Sequence, residues 1–133
     1  MGVDGSSTSQ LALEWALDAA RTHGANVEAV HAWVLPVVAE GVLDLEPIAD
    51  AAWQTLDTAV DAADTSGLSL PVTRTVIGAS PAVAILQAAK DADLVVVGSR
   101  GLGGFKGLLL GSVSHHLAQH ATCPVVVVPP PRD

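Results

Sequence analysis

Residues 94–114 read LVVVGSRGLGGFKGLLLGSVS, and the opening of that stretch decides the fold. Leu94–Val97 is short and wholly apolar, as expected of a strand buried on both faces. It ends at Gly98 and gives way to a glycine-rich run, after which Ser112 opens a helical segment to about Gln119. Further on, Cys123-Pro124-Val-Val-Val-Val-Pro129 reads as a second short strand, stopped by prolines. Strands separated by a helix need a crossover connection, so they run parallel and helices cover the sheet.

The same alternation extends toward the N-terminus. Val72–Ile77 is a strand, followed by the turn Gly78-Ala-Ser80-Pro81, where Ser80 is placed to cap and Pro81 to start a helix of about a dozen residues. Pro47 suits a first helical position, and IADAAWQTLDTAVDAADTS keeps helical spacing to Gly67. Residues 26–34, NVEAVHAWV, alternate as a strand does, and residues 35–46 form a connection. Ser7-Thr-Ser-Gln10 has capping-box spacing ahead of LALEWALDAARTH, with Gly24 as the stop. Met1-Gly-Val-Asp-Gly is the end of a strand turning into that helix. The order β-α-β-α-β-α-β-α-β makes residues 1–133 one domain. In such sheets ligands lie at the carboxyl ends of the strands, here Asp4, Ala32-Trp33, Gly78 and Gly98 onward.

Half of the 133 residues are apolar, which excludes disorder. No apolar run reaches the roughly 18–20 residues of a membrane helix, no leader segment is evident, and the single Cys123 fits a reducing compartment. A cytoplasmic protein without a membrane partner is expected. The net charge of −8 argues against nucleic acid. Yet residues 94–132 hold no Asp or Glu, only Arg100, Lys106 and Arg132. That segment either tolerates an anion or simply has few charges.

Gly98, Gly101, Gly103, Gly104, Gly107 and Gly111 fall within fourteen residues. Glycine lets backbone N–H groups approach a ligand, and successive N–H groups form anion-binding nests. The helix opened by Gly111-Ser112 adds free N–H groups and the positive end of its dipole, and the Ser112 and Ser114 hydroxyls add donors. The dipole contributes only about 0.3–1 kcal/mol per interaction, so several contacts must act together. The Walker pattern is absent because Gly107 follows Lys106, GxGxxG fails at Lys106, and GxSxG fails because Val97 stands two before Ser99.

What does fit is G-x2-G-x9-G-[ST], through Gly98, Gly101, Gly111 and Ser112. In this motif, and in GVDGSSTSQLALEWAL, VHAW, VIGASP, DADLVVVGSRG and CPVVVVP, the chain resembles the universal stress protein family in its ATP-binding branch. The resemblance implies a single-domain, Rossmann-like three-layer α/β/α sandwich with a five-stranded parallel sheet of order 3-2-1-4-5. It implies that Asp4 lies near ribose and phosphates or a nucleotide-bound Mg²⁺, with Gly2 and Val3 flanking the nucleotide. Ala32 would meet adenine through its backbone and Gly78 would line the adenosine pocket. Gly98, Ser99, Arg100, Gly101, Leu102, Gly103 and Gly104 would wrap ribose and phosphates, and Gly111, Ser112, Val113 and Ser114 would hold the phosphate tail. ATP is the implied ligand, with ADP and AMP as alternatives. A homodimer through Val125, Val126, Val127 and Val128 is also implied; a bare four-valine edge would otherwise be an aggregation hazard. Family members carry more apolar residues before Gly-Val-Asp, so the first strand is expected to be short.

Three functions compete. A regulatory ATP-binding protein accounts for the intact motif. A slow ATP hydrolase or nucleotidyl-transfer enzyme would need a base and a second carboxylate beside Asp4, which the motif does not supply. A nucleotide-free dimeric scaffold would leave the glycine spacing without a purpose. Asp4 also reads as a plain turn residue, and Arg100 and Lys106 as surface charges. His116 and His120 have helical metal-ligand spacing without a completing ligand. His31, Trp15, Trp33, Trp53 and Cys123 read as packing residues, the tryptophans in core or interface; Trp33 also stands to edge the adenine pocket.

Overall fold

The computed structural model describes residues 1–35, 44–101 and 110–132. The elements are α1 (Ser7–His23), β1 (Glu28–Trp33), α2 (Glu46–Asp61), β2 (Thr73–Gly78), α3 (Pro81–Ala88), a 3₁₀ turn (Ala89–Asp91), β3 (Val95–Gly98), α4 (Ser112–His120) and β4 (Val125–Val128). β1 pairs in parallel with β2, and β3 pairs in parallel with β4.

Residues 1–3 lie between these two pairs. Gly2 N donates to Val96 O at 3.0 Å, Val3 N to Val30 O at 2.8 Å and Val30 N to Met1 O at 2.8 Å. The expected five-stranded sheet is therefore met in part. Four strands form in two parallel pairs, and the first segment contributes one parallel bridge, Gly2 to Val30, rather than a strand. Met1–Val3 offers too little backbone for a ladder of successive pairs.

Strand alternation sorts side chains between two helical layers. Val95 and Val97 pack with Ile85, Ala89 and Leu117 of the α3–α4 side. Val96 packs with Ala12 and Ala16 of α1. Leu13, Leu17 and Leu56, all fully buried, close the α1–α2 side over Val27 and Ala29. Burying one such leucine contributes about 1.5–3 kcal/mol.

Helix boundaries differ from expectation in detail. The cap of α1 is Ser6, whose Oγ accepts from Ser9 N at 3.1 Å, and Gly24 ends that helix at φ 64°. α2 stops at Asp61 instead of running to Gly67, and Arg74 of β2 is tied to it through Asp57 and Asp61, each at 2.7 Å. Hydrogen bonds to Asp57, then to Asp61, raise the pKa of that guanidinium. Ser80 stands at the start of α3 but makes no side-chain cap. Trp15 and Trp53 are 41% and 42% exposed, so neither is a core residue.

Candidate functional site

The carboxyl ends of the strands open onto a groove of about 760 Å³. Its apolar part is formed by Val30, Pro81, Ile85, Val97 and Val113. Its polar part is formed by Asp4, Ser99, Arg100, Gly101 and the start of α4.

Asp4 is set by the turn into α1. Its Oδ1 accepts from Ser6 N at 2.8 Å, and its N donates to Ser9 Oγ at 3.3 Å. Ser9 Oγ in turn donates to Ser6 O at 3.0 Å. Gly5 permits the bend with φ 84°. The Asp4 carboxylate thereby reaches the far wall, where a Cβ on Gly101 would collide with Oδ2.

The opposite wall is pinned by main-chain and hydroxyl bonds. Ser99 N donates to Val128 O at 2.8 Å, and Ser99 O accepts from Gly111 N at 2.5 Å and from Ser114 Oγ at 3.0 Å. The Ser114 hydroxyl, expected to face a ligand, also lies 3.2 Å from Gly111 O. One hydroxyl proton cannot serve an anion as well, so Ser114 holds the loop to the helix instead. Gly111 sits at the cap position of α4 with no side-chain cap, which leaves the first-turn N–H groups of Ser112, Val113 and Ser114 to other acceptors. Ser99 is 4% exposed, and its Oγ is buried without a hydrogen-bond partner. An orphaned buried hydroxyl costs about 1–3 kcal/mol.

The groove thus gathers Gly2, Val3, Asp4, Ala32, Gly98, Ser99, Arg100, Gly101, Gly111, Ser112, Val113 and Ser114 of the expected set. Gly78 is not among its lining residues: it abuts the Trp33 indole, which an added Cβ would meet at 3.0 Å. Leu102, Gly103 and Gly104 lie outside the described residues. Gly98 has a packing role as well, since a Cβ there would come within 2.8 Å of Thr8 Cγ2 and 3.1 Å of the Thr8 carbonyl carbon. His31, read from sequence as a packing residue, lines the groove, and its Nδ1 lies 2.7 Å from Val3 O. The His116 and His120 rings stand 4.4 Å apart, and no cluster of three metal-ligating side chains exists among the described residues.

The model of the universal stress protein family matches residues 1–129. The chain belongs to the universal stress protein family. A universal stress protein of Mycolicibacterium smegmatis is 41% identical over 138 residues, covering 98% of this chain and 45% of that protein. One from Mycobacterium tuberculosis is 39% identical over 128 residues, covering 96% and 43%. The chain spans less than half the length of these relatives. A universal stress protein solved in complex with cAMP superposes with a TM-score of 0.73 at 26% identity, covering 96% of this chain and 92% of that one. The likeness in sequence and that in fold agree on the family and on its parallel α/β architecture.

Proposed function

We propose that this universal stress protein domain is a regulatory binder of adenine nucleotide, with ATP as its ligand. One observation carries the reading: the uncapped start of α4 opens beside Arg100 and Gly101 onto one groove. Its first-turn amides lack an acceptor, which a phosphate oxygen would supply. Arg100 brings positive charge to the same wall, and the apolar part accepts a base. A volume of about 760 Å³ suits a nucleotide, since ligand pockets run roughly 300–1,000 Å³. The cAMP bound by a related protein supports an adenine ligand.

The chain's own residues bind and orient. Amides of Gly101 and of the first turn of α4 receive phosphate oxygens, and Val30, Ile85 and Val97 exclude water from the base. Mg²⁺ accompanying the phosphates would find one carboxylate, Asp4, among the described residues that line the groove. A single acid favours binding over turnover. The protein acts as a cytoplasmic homodimer, with the outer edge of β4, Val125–Val128, pairing with a second copy. Protein purified without added nucleotide, then denatured and chromatographed, is expected to release adenine nucleotide, and the Gly101→Ala variant little. Equal release from both removes the loop from the site; release from neither removes the nucleotide.

A further inference from the structure

We propose that His116 and His120 of α4 form a bidentate site for a tetragonal divalent transition metal, Cu(II) first among them, with water in the remaining positions. The two residues are four apart on one helix, so their side chains rise from the same side of it. Both are exposed, and their ring centres stand 4.4 Å apart with the planes tilted by 41°. Neither lines the groove at the strand ends, so the site is independent of the nucleotide reading.

The ring spacing selects the metal. An ion about 2.0 Å from a ring nitrogen lies about 3.1 Å from the centre of that ring. Two rings at a right angle about the ion then have centres about 4.4 Å apart, and two at a tetrahedral angle about 5.1 Å. The observed spacing matches the right angle, the cis arrangement of square-planar and tetragonal ions, among which Cu(II) has the highest affinity for such ligands. Exposed rings turn about the Cβ–Cγ bond without repacking the core, so each can bring one nitrogen to a shared ion. Among the described residues no three metal-ligating side chains meet, so the site is open rather than a closed structural zinc centre. Its surroundings favour a cation. His120 is the last residue of α4, where the negative end of the helix dipole lies, and the chain carries a net charge of −8. Once His116 holds the ion, the helix presents His120 to it at high effective concentration.

Calorimetric titration of the full chain with Cu(II) in a non-coordinating buffer tests the site. Wild type is expected to hold one Cu(II) tightly per chain. His116→Ala and His120→Ala should each lose roughly tenfold or more in affinity, and His115→Ala none. Cu(II) should raise the melting temperature of wild type and of His115→Ala but of neither other variant, because the pair is assembled only in the folded helix. With ¹⁵N-labelled histidine, the electron paramagnetic resonance spectrum of the wild-type complex should show coupling to two ring nitrogens; this readout needs no variant. Coupling to one nitrogen or none, or equal affinity in wild type and His116→Ala, marks an adventitious ion only and overturns the site. A loss in His115→Ala as large as that in His120→Ala overturns the pairing.

Discussion

The turns after β2 and β3 begin alike, with a glycine closing the strand and a serine soon after, yet they do different work. Gly78 is small because the Trp33 indole lies against it, and α3 starts three residues later at Pro81. Gly98 is small because Thr8 of α1 lies against it, but the chain then continues through Ser99, Arg100 and Gly101 along the groove before Gly111 returns to Ser99 O. A glycine at a strand end therefore reports close packing; it is the second glycine, facing Asp4, that reports a ligand wall.

The largest expected effect separates the two turns. Gly101→Ala drives a methyl into the Asp4 carboxylate and should weaken ATP binding by tens of fold or more, while Gly78→Ala, where the ring need shift only slightly, should leave affinity unchanged. Titrating both variants with ATP breaks the comparison if they lose affinity equally. Next in size, Gly98→Ala meets backbone atoms of Thr8 that have little room to move and should lower stability by about 1–3 kcal/mol in urea unfolding.

Ser114→Ala removes a buried donor from Ser99 O. A loss of about 1–2 kcal/mol is expected, with a smaller loss of affinity than Gly101→Ala, because the Ser114 hydroxyl shapes the wall while its amide, kept in the variant, meets the ligand. The smallest effect lies far from both turns. The side-chain hydrogen bond from Ser66, then the backbone one, holds the Asp64 carboxyl below its ordinary value of 3.8, with Arg21 adding to them and burial opposing. A depressed acid stabilises the fold above its unfolded pKa and loses that contribution as pH falls through the folded one. Asp64→Asn should thus lower the melting temperature slightly at pH 7 and leave it unchanged well below pH 3.8.

Much of the fold is legible in the sequence because Val95–Val97 and Val125–Val128 have no polar face to turn outward, which leaves only a strand covered on both sides. Helix ends are less legible. α2 stops early where Asp64 Oδ1 takes the Ser66 amide at 3.0 Å, a local bond that competes with helix continuation. α3 gives way to a 3₁₀ turn over Ala89–Asp91, where Lys90 and Asp91 end its apolar run. The groove residues from Gly98 to Ser114 follow from glycine spacing and resemblance, but the reason for each glycine does not. Thr8 and Trp33 arrive from elsewhere in the chain, and only the folded contacts tell a packing glycine from a ligand-facing one. Ser114 resembled a phosphate donor because its pattern shows a hydroxyl and not that the Ser99 carbonyl already holds it.

The central claim is that main-chain amides after β3 and at the start of α4 receive the phosphates. Adding ATP to ¹⁵N-labelled protein stripped of nucleotide tests it most directly, by following the backbone amide signals residue by residue. Saturable shifts concentrated at Gly101, Ser112, Val113 and Ser114 are expected. Saturable ATP binding that leaves those four amides in place while others move would contradict the account.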